Sequence, residues 1–372
     1  VALDSLAILH VMRSPVGGLF RHVVDLAAEQ TARGHRVGIV ADASTGGDRA
    51  DRMLADLAPT LAFGVSRVPM SRELGLSDWS AGRHVIARLR ELSIDIVHGH
   101  GSKGGAYARL VGAKRIKVYT PHGGSLHYSR STAVGFVYLT LEEFLAKRTD
   151  LFLFESAYGR DTFAAKVCDP KGLVRVVHNG VGASEFEPVI QRPDATDLLF
   201  IGELRHLKGV DVMLQAITRL NGQGRRLTAT IVGAGPEAQA FRDMAASLGL
   251  ADQVTFPGAL PAREAFARGK LLLVPSRAES LPYVVLEAGA CGLAQIATAV
   301  GGIGEIFGPD AGLLVTPGDA EVLANAIVQR LDAPEETAAA ASRLKARIAE
   351  GFSIGAMTEG VLAAYREAMA KP

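Results

Sequence analysis

The amino-acid sequence predicts an α/β protein of two domains, each a parallel sheet wrapped by helices, with the two facing a central cleft. Three observations carry this reading. The chain has 372 residues, more than one hydrophobic core ordinarily supports. Short apolar runs rich in Val and Ile alternate with longer amphipathic stretches over almost the whole length, the pattern of βαβ units. Residues 181–196 carry two prolines and no sustained period, so they read as a linker that divides the alternation into two series.

In the first series, residues 1–180, the segments Leu6 to Val11, Arg36 to Val40, Ile94 to His98, Val118 to Thr120, Leu151 to Phe154 and Val174 to Val177 read as strands. In the second, residues 197–353, the strands are Leu198 to Ile201, Leu227 to Val232, Val254 to Phe256, Leu271 to Val274, Gln295 to Ala297 and Gly312 to Val315. Open parallel sheets bind ligands at the carboxyl ends of their strands, which places the expected site there. The last helical stretch, residues 354–372, follows a Gly-Phe-Ser break and is expected to cross back onto the first domain.

Forty Lys and Arg against thirty-nine Asp and Glu leave a formal charge of +1, so no overall field attracts nucleic acid. Two cysteines, Cys168 and Cys291, are too few for a disulfide framework and lack metal-ligand spacing. The expected location is therefore the cytoplasm. No apolar run approaches the roughly 20 residues of a spanning helix, which leaves open a peripheral seat on the inner face of the membrane. Lys103, Arg109, Lys114, Arg115 and Lys117 cluster in an otherwise small and apolar stretch and are expected to meet anionic headgroups, or else to form an ordinary solvated face.

Leu271 to Gly292, LLLVPSRAESLPYVVLEAGACG, reads as a buried strand, a loop and a helix opened by Pro282. Backbone N–H groups of Ser280, Leu281 and Tyr283, on either side of Pro282, then form a helix N-terminus, an anion site suited to a diphosphate. Glu279 stands before it, placed to accept hydrogen bonds from sugar hydroxyls. Glu287 lies two turns in, placed to hold a ribose diol.

A Glu, seven residues and a second Glu, after VPS and before A-x-x-x-G, resemble the retaining GT-B glycosyltransferases of family 4 (group 1). The resemblance implies two Rossmann-like domains, an acceptor-binding N-terminal one and a C-terminal one that binds a UDP- or GDP-linked sugar. It extends to FIGELRHLKGVDVMLQAI, where Gly202 closes the strand and Arg205 and Lys208 would meet the donor diphosphate and offset charge on the departing phosphate. Many members place an Arg directly after that glycine; this chain has Glu203. The resemblance also takes in HVMRSPVGGLFRHVVDLA, with Gly17 and Gly18 at a turn where backbone can approach the donor or acceptor. In VYTPHGGSLHY, His122 matches a histidine that contacts the donor sugar near the reacting carbon. IATAVGGIGEIF places Gly301 and Gly302 for a similar close approach.

The resemblance implies a retaining hexosyltransferase acting on a lipid-linked or saccharide acceptor in bacterial surface polysaccharide synthesis. It implies no bound metal, and the chain has no Asp-x-Asp triplet. His98 and His100 share one strand face, but the sequence offers no third ligand at usable spacing for zinc. TIVGAGPEAQA, with Gly233, Gly235 and Ala238, competes as a dinucleotide fingerprint, although no strand-end acidic residue follows at about 20 positions to hold a ribose; family members use a similar loop beside the nucleotide. Two alternatives stay open: a non-catalytic nucleotide-sugar-binding protein and a nicotinamide-dependent dehydrogenase.

Overall fold

A computed structural model describes residues 5–71, 75–112 and 115–371. The chain forms two compact units, one running to Gly180 and resumed from Ile354, the other Val181–Ser353.

The first unit is a seven-stranded, wholly parallel sheet of β1 (Ala7–Met12), β2 (Arg36–Asp42), β3 (Val65–Val68), β4 (Ile96–His100), β5 (Ile116–Thr120), β6 (Leu151–Phe154) and β7 (Leu173–Val176), ordered 3-2-1-4-5-6-7. Its helices are α1 (Gly17–Ala32), α2 (Gly47–Leu57), α3 (Leu76–Glu91), α4 (Gly101–Arg109), α5 (Ala133–Ala146) and α6 (Ala157–Lys166). All six residues of β1 are buried, as expected of a central strand covered by helices on both faces.

The second unit is a five-stranded parallel sheet of β8 (Thr196–Ile201), β9 (Ala229–Val232), β10 (Val254–Gly258), β11 (Gly269–Val274) and β12 (Gln295–Ala297), ordered 10-9-8-11-12. Around it lie α7 (Val210–Gly222), α8 (Ala238–Ser247), α9 (Ala262–Phe266), α10 (Tyr283–Ala290), α11 (Ile303–Phe307), α12 (Ala320–Asp332) and α13 (Pro334–Gly351). The chain then returns to the first unit as α14 (Ile354–Ala370). Met357, Val361 and Tyr365, spaced four apart, put one face of α14 into a core with Ile8, Leu26, Ile96 and Leu151.

Three expectations need correction. Residues 181–196 are not a free linker but part of the second unit: Val181 bridges Ser353, and Phe186 and Val189 pack on that unit's core. Gly312 to Val315 is no strand, because Gly308–Leu313 forms a 3-10 helix with Pro309 in its first turn, and Val315 makes only an isolated bridge to Thr298. Val65–Val68 is a strand the sequence did not announce, short and at the sheet edge, where no continuous apolar run is required. Elsewhere the strand bounds move by at most two residues.

Two members of the basic cluster, Lys103 and Arg109, likewise do not lie on a surface. Lys103 is 8 % exposed and donates to Ser71 O at 2.8 Å and Asp78 Oδ1 at 2.7 Å, while Arg109 is fully buried against Glu142 at 2.8 Å. Arg115 donates to Leu89 O, and Lys114 lies outside the described residues. Asp78 and Glu142 neutralise Lys103 and Arg109 within the fold, which costs less than burying those charges alone and leaves the two little for a headgroup. A different surface stands out: Val134, Phe136, Val137 and Phe144 on α5 are each 48–56 % exposed.

Candidate functional site

Chemistry-bearing residues of the second unit gather at the ends of adjacent parallel strands β8 and β11. GKLLLV buries all but Lys270, and the chain then turns through Pro275 to Pro282 into α10. Pro282 is the residue before the helix, with φ −74° and ψ 125°, rather than its first turn, and the helix lacks a side-chain cap. The start of a helix is where backbone amides can meet an anion. Leu281 and Tyr283 were expected at the donor, but their side chains are 3 % and 8 % exposed and belong to the unit's core, so only their backbone can serve a ligand.

Glu279 Oε1 accepts hydrogen bonds from Lys208 Nζ at 2.6 Å and Ser276 Oγ at 2.7 Å. The Glu279 side chain is 9 % exposed and that of Lys208 is 26 %, so the pair is screened less than a surface one. Lys208 ends the 3-10 turn His206–Lys208 after β8. Gly209 follows at φ +72°, and a Cβ there would stand 2.0 Å from Pro275 O. Only glycine lets the two loops close on each other.

The same closure is fastened by a contact that the sequence did not signal. Arg277 donates through Nη1 and Nη2 to the two Asp211 carboxylate oxygens, both at 2.7 Å, and through Nη1 to His206 O at 2.7 Å. Burial pushes the Asp211 carboxyl up, and the Arg277 fork outweighs it, holding the group below its ordinary value.

Arg205 does not join this cluster as a free cation. Its guanidinium is nearly half exposed and lies 3.4 Å from Glu203, the residue that departs from the family pattern. Glu287 sits in the second turn of α10, half-buried. Gly301, at φ +59°, would bring a Cβ to 2.1 Å from Glu279 O, and Gly302 N donates to Ser280 O at 2.6 Å. These glycines thus close on the Glu279–Ser280 backbone, where the sequence suggested approach to a donor.

Gly233 and Gly235 have a similar explanation. Cβ atoms there would stand 1.9 Å from Gly202 O and 2.4 Å from Leu204 O, and Leu204 N donates to Ala234 O at 2.9 Å. The glycine spacing lets the loops after β8 and β9 pack back to back, which accounts for it without a dinucleotide.

In the first unit, Gly17 takes φ +63° at the start of α1, with open space where a Cβ would be, and Gly18 beside it is exposed. The need at Gly17 is therefore conformational. Parallel topology also assembles five histidines that the sequence scatters. His10 on β1 is in register with His98 on β4; His100 ends β4, His122 follows β5 and His22 lies on α1. His98 bonds Tyr365 Oη at 2.7 Å and Thr120 Oγ1 at 2.8 Å. His100 Nδ1 is 3.1 Å from His122 Nε2.

Burial pushes His10 down to about 4 and His122 down to about 3. Burial and then the neighbouring His122 take His22 to about 3, and burial with histidine neighbours holds His98 and His100 well below the usual range. All five are neutral at pH 7. His122, at φ 50°, is the one non-glycine residue with positive φ among the described residues. The expectation that no third imidazole accompanies His98 and His100 is overturned: His10 joins both, and His22 and His122 join His100, each trio within 4.8 Å. Sequence spacing hid this, because the partners come from β1, α1 and the loop after β5.

Residues 184–347 match the family described as Glycosyl transferases group 1, and residues 16–185 match Glycosyltransferase Family 4. A D-inositol 3-phosphate glycosyltransferase of Mycobacterium avium is 34 % identical over 215 residues, 53 % of this chain and 50 % of that protein. The chain thus spans about half the length of the inositol-phosphate relatives it matches. A glycogen synthase of Mycobacterium tuberculosis is 25 % identical over 367 residues, covering 91 % of this chain and 88 % of that one. Among solved structures, Anabaena Alr3699/HepE with UDP and glucose superposes with a TM-score of 0.80 at 20 % identity, covering 97 % of this chain and 100 % of that one. Sucrose-phosphate synthase of Thermosynechococcus elongatus gives 0.82 at 19 % identity, covering 98 % and 99 %. These likenesses show the fold, two parallel-sheet α/β domains of the GT-B kind.

Proposed function

Because the chain belongs to the group 1 glycosyltransferases of the family 4 type, we propose that it moves a hexose from a UDP- or GDP-linked donor to a lipid-linked or saccharide acceptor. In this reading the anomeric configuration is retained and the product enters bacterial cell-surface polysaccharide. One observation carries it: Lys208 Nζ and Glu279 Oε1 meet at 2.6 Å just ahead of the uncapped start of α10. A cation, a carboxylate and a helix start then stand within reach of one diphosphate-linked sugar.

The diphosphate binds Lys208 and the amides near Ser280 to Tyr283, and its negative charge takes over part of what Glu279 now offers Lys208. Glu279 then accepts from sugar hydroxyls, Glu287 from the ribose, and His122 positions the sugar near its reacting carbon. The acceptor oxygen bonds that carbon on the face from which the phosphate leaves, and the acceptor proton passes to the departing phosphate oxygen. No enzyme nucleophile and no metal enter this scheme. Arg205 serves the diphosphate only after leaving Glu203.

A thermal-shift panel of nucleoside diphosphates and their sugars tests the reading. A cognate ligand at about 100 times its Kd adds roughly 2.7 kcal/mol, a rise of about 5 °C or more in the unit that binds it. Stabilisation by no nucleotide rejects the site. Stabilisation without donor turnover marks a silent binding protein, and turnover lost on chelation rejects the metal-free scheme.

A lipid-linked acceptor would be met at the α5 face rather than at the basic cluster. Val134, Val137 and Phe144 recur at helical spacing, and the Arg148 guanidinium lies over the Phe144 ring at 4.9 Å, bringing a cation to the apolar edge. No helix among the described residues is long and apolar enough to cross a membrane; the contact in this reading is a peripheral one at the cytoplasmic face. The protein is expected to sediment with anionic vesicles, and a Phe136→Ser/Phe144→Ser variant to remain in the supernatant. Equal sedimentation of both removes α5 from that role.

A further inference from the structure

Three imidazoles of the first unit converge on one point: a ring nitrogen from each of His22, His100 and His122 lies within 4.8 Å of the others. Their opposite nitrogens each face an acceptor. His22 Nδ1 is 3.0 Å from Asn179 Oδ1, His100 Nε2 is 2.9 Å from His10 Nδ1, and His122 Nδ1 is 3.8 Å from Glu155 Oε1. His10 Nε2 reaches Gln30 Oε1 at 2.8 Å. With that carbonyl as terminal acceptor, His10 donates from Nε2 and accepts at Nδ1, so His100 donates from Nε2 and keeps its lone pair on Nδ1. Asn179 Oδ1 draws the His22 proton to Nδ1 in the same way. The remaining His22 Nε2 is buried without a hydrogen-bond partner, in a side chain 3 % exposed. Such an unmet group calls for a ligand.

We propose that His22, His100 and His122 form a binding site for a divalent first-row transition metal of the zinc and cobalt type. Three neutral imidazoles with one position left open suit a tetrahedral ion of that class, whereas magnesium and calcium require oxygen ligands. The outward hydrogen bonds to Asn179 and His10, with the Glu155 carboxylate facing His122 Nδ1 at 3.8 Å, are the outer shell that orients ligating histidines. Metal–nitrogen bonds of about 2.0–2.1 Å place ligand nitrogens roughly 3.3 Å apart, so the rings draw in by about an ångström. His122 moves its proton from Nε2, where it now serves His100 Nδ1, to Nδ1 facing the Glu155 carboxylate, and stays neutral. The second trio, His10, His98 and His100, is a poorer host, because both nitrogens of His10 and of His98 are engaged in hydrogen bonds.

Metal binding stands apart from the transfer reaction, but under the reading above it also withdraws His122 from the donor sugar and inhibits. The test titrates metal-stripped protein with Co2+, follows the visible ligand-field absorption of the ion, and then adds Zn2+ as competitor. The expected result is a saturable band that Zn2+ bleaches and that His22→Ala lacks. Asn179→Ala keeps all three ligands and is expected to weaken Co2+ binding about 10–100-fold. No band in the unsubstituted protein, or a band that persists in His22→Ala, overturns the site. Should His22→Ala fail to fold, undiminished Co2+ affinity in Asn179→Ala overturns it equally.

Discussion

Transfer by a Glu279→Gln variant is expected to fall by about 10²–10³-fold, the scale seen when one preorganised electrostatic partner is removed from a reacting centre. The amide is isosteric and can still accept from Ser276 Oγ, which now lies 2.7 Å from Glu279 Oε1. What disappears is the charge opposite Lys208. The partly buried pair is worth on the order of 1 kcal/mol to folding, so the melting temperature should move by only a few degrees. Nucleoside diphosphate binding should persist, since Lys208 and the α10 amides remain. The loss therefore belongs in kcat rather than in donor affinity, the pattern of an interaction made chiefly in the transition state. Near-normal turnover by a folded Glu279→Gln protein would remove this carboxylate from the chemistry.

That residue was legible in the sequence because its signal is local. A buried LLLV strand, a proline ahead of a helix and two acids with seven residues between them all lie within one short segment, and the backbone alone brings them into order. The partner of Glu279 was legible for the same reason, since Lys208 follows a strand end; that the two side chains bond directly was not. Arg277 and Asp211 show the limit. They are 66 positions apart, and nothing at either position predicts that parallel pairing of β8 with β11 sets their loops side by side.

The glycines show a different limit. A glycine announces permitted backbone geometry but not which atom approaches it. Gly233, Gly235 and Gly301 all answer to neighbouring protein carbonyls, although the sequence equally allowed a phosphate. Charge was misread for a third reason. Lys103 and Arg109 stand in a small, apolar stretch that suggested a basic surface, and only the tertiary fold supplies Asp78 and Glu142 to neutralise them. The histidines repeat the lesson of the loops: His98 and His100 are visible as a strand pair, whereas His10, His22 and His122 join through the sheet order.

Arg109→Met is expected to destabilise the first unit by about 3–5 kcal/mol, the cost of leaving a buried charge without its partner. Arg109 is fully buried and Glu142 is 3 % exposed. The guanidinium donates from Nη2 to Glu142 Oε2 at 2.8 Å and from Nε to Gly105 O at 2.9 Å, and its carbon lies 3.7 Å from the centre of the Tyr119 ring. Tyr119 Oη donates to Glu142 Oε1 at 2.9 Å. Methionine fills much of the arginine's length but supplies neither charge nor donors, so the carboxylate must stay ionised in an apolar setting or take up a proton. Either course weakens the fold.

Removing both charges is a different case. Arg109→Met with Glu142→Leu deletes the desolvation cost together with the attraction, so the double variant should be more stable than the arginine variant alone, a non-additive result. The chain's single tryptophan, Trp79, lies in this unit on α3, and its fluorescence in a urea titration reports the unit's own transition. Arg225→Met serves as the contrast: Arg225 pairs with Asp332 on the exposed surface of the other unit, and its loss should leave the Trp79 transition where it was. If Arg109→Met melts with the unsubstituted protein, the ion pair holds nothing, and the stability of the first unit rests on its apolar contacts alone.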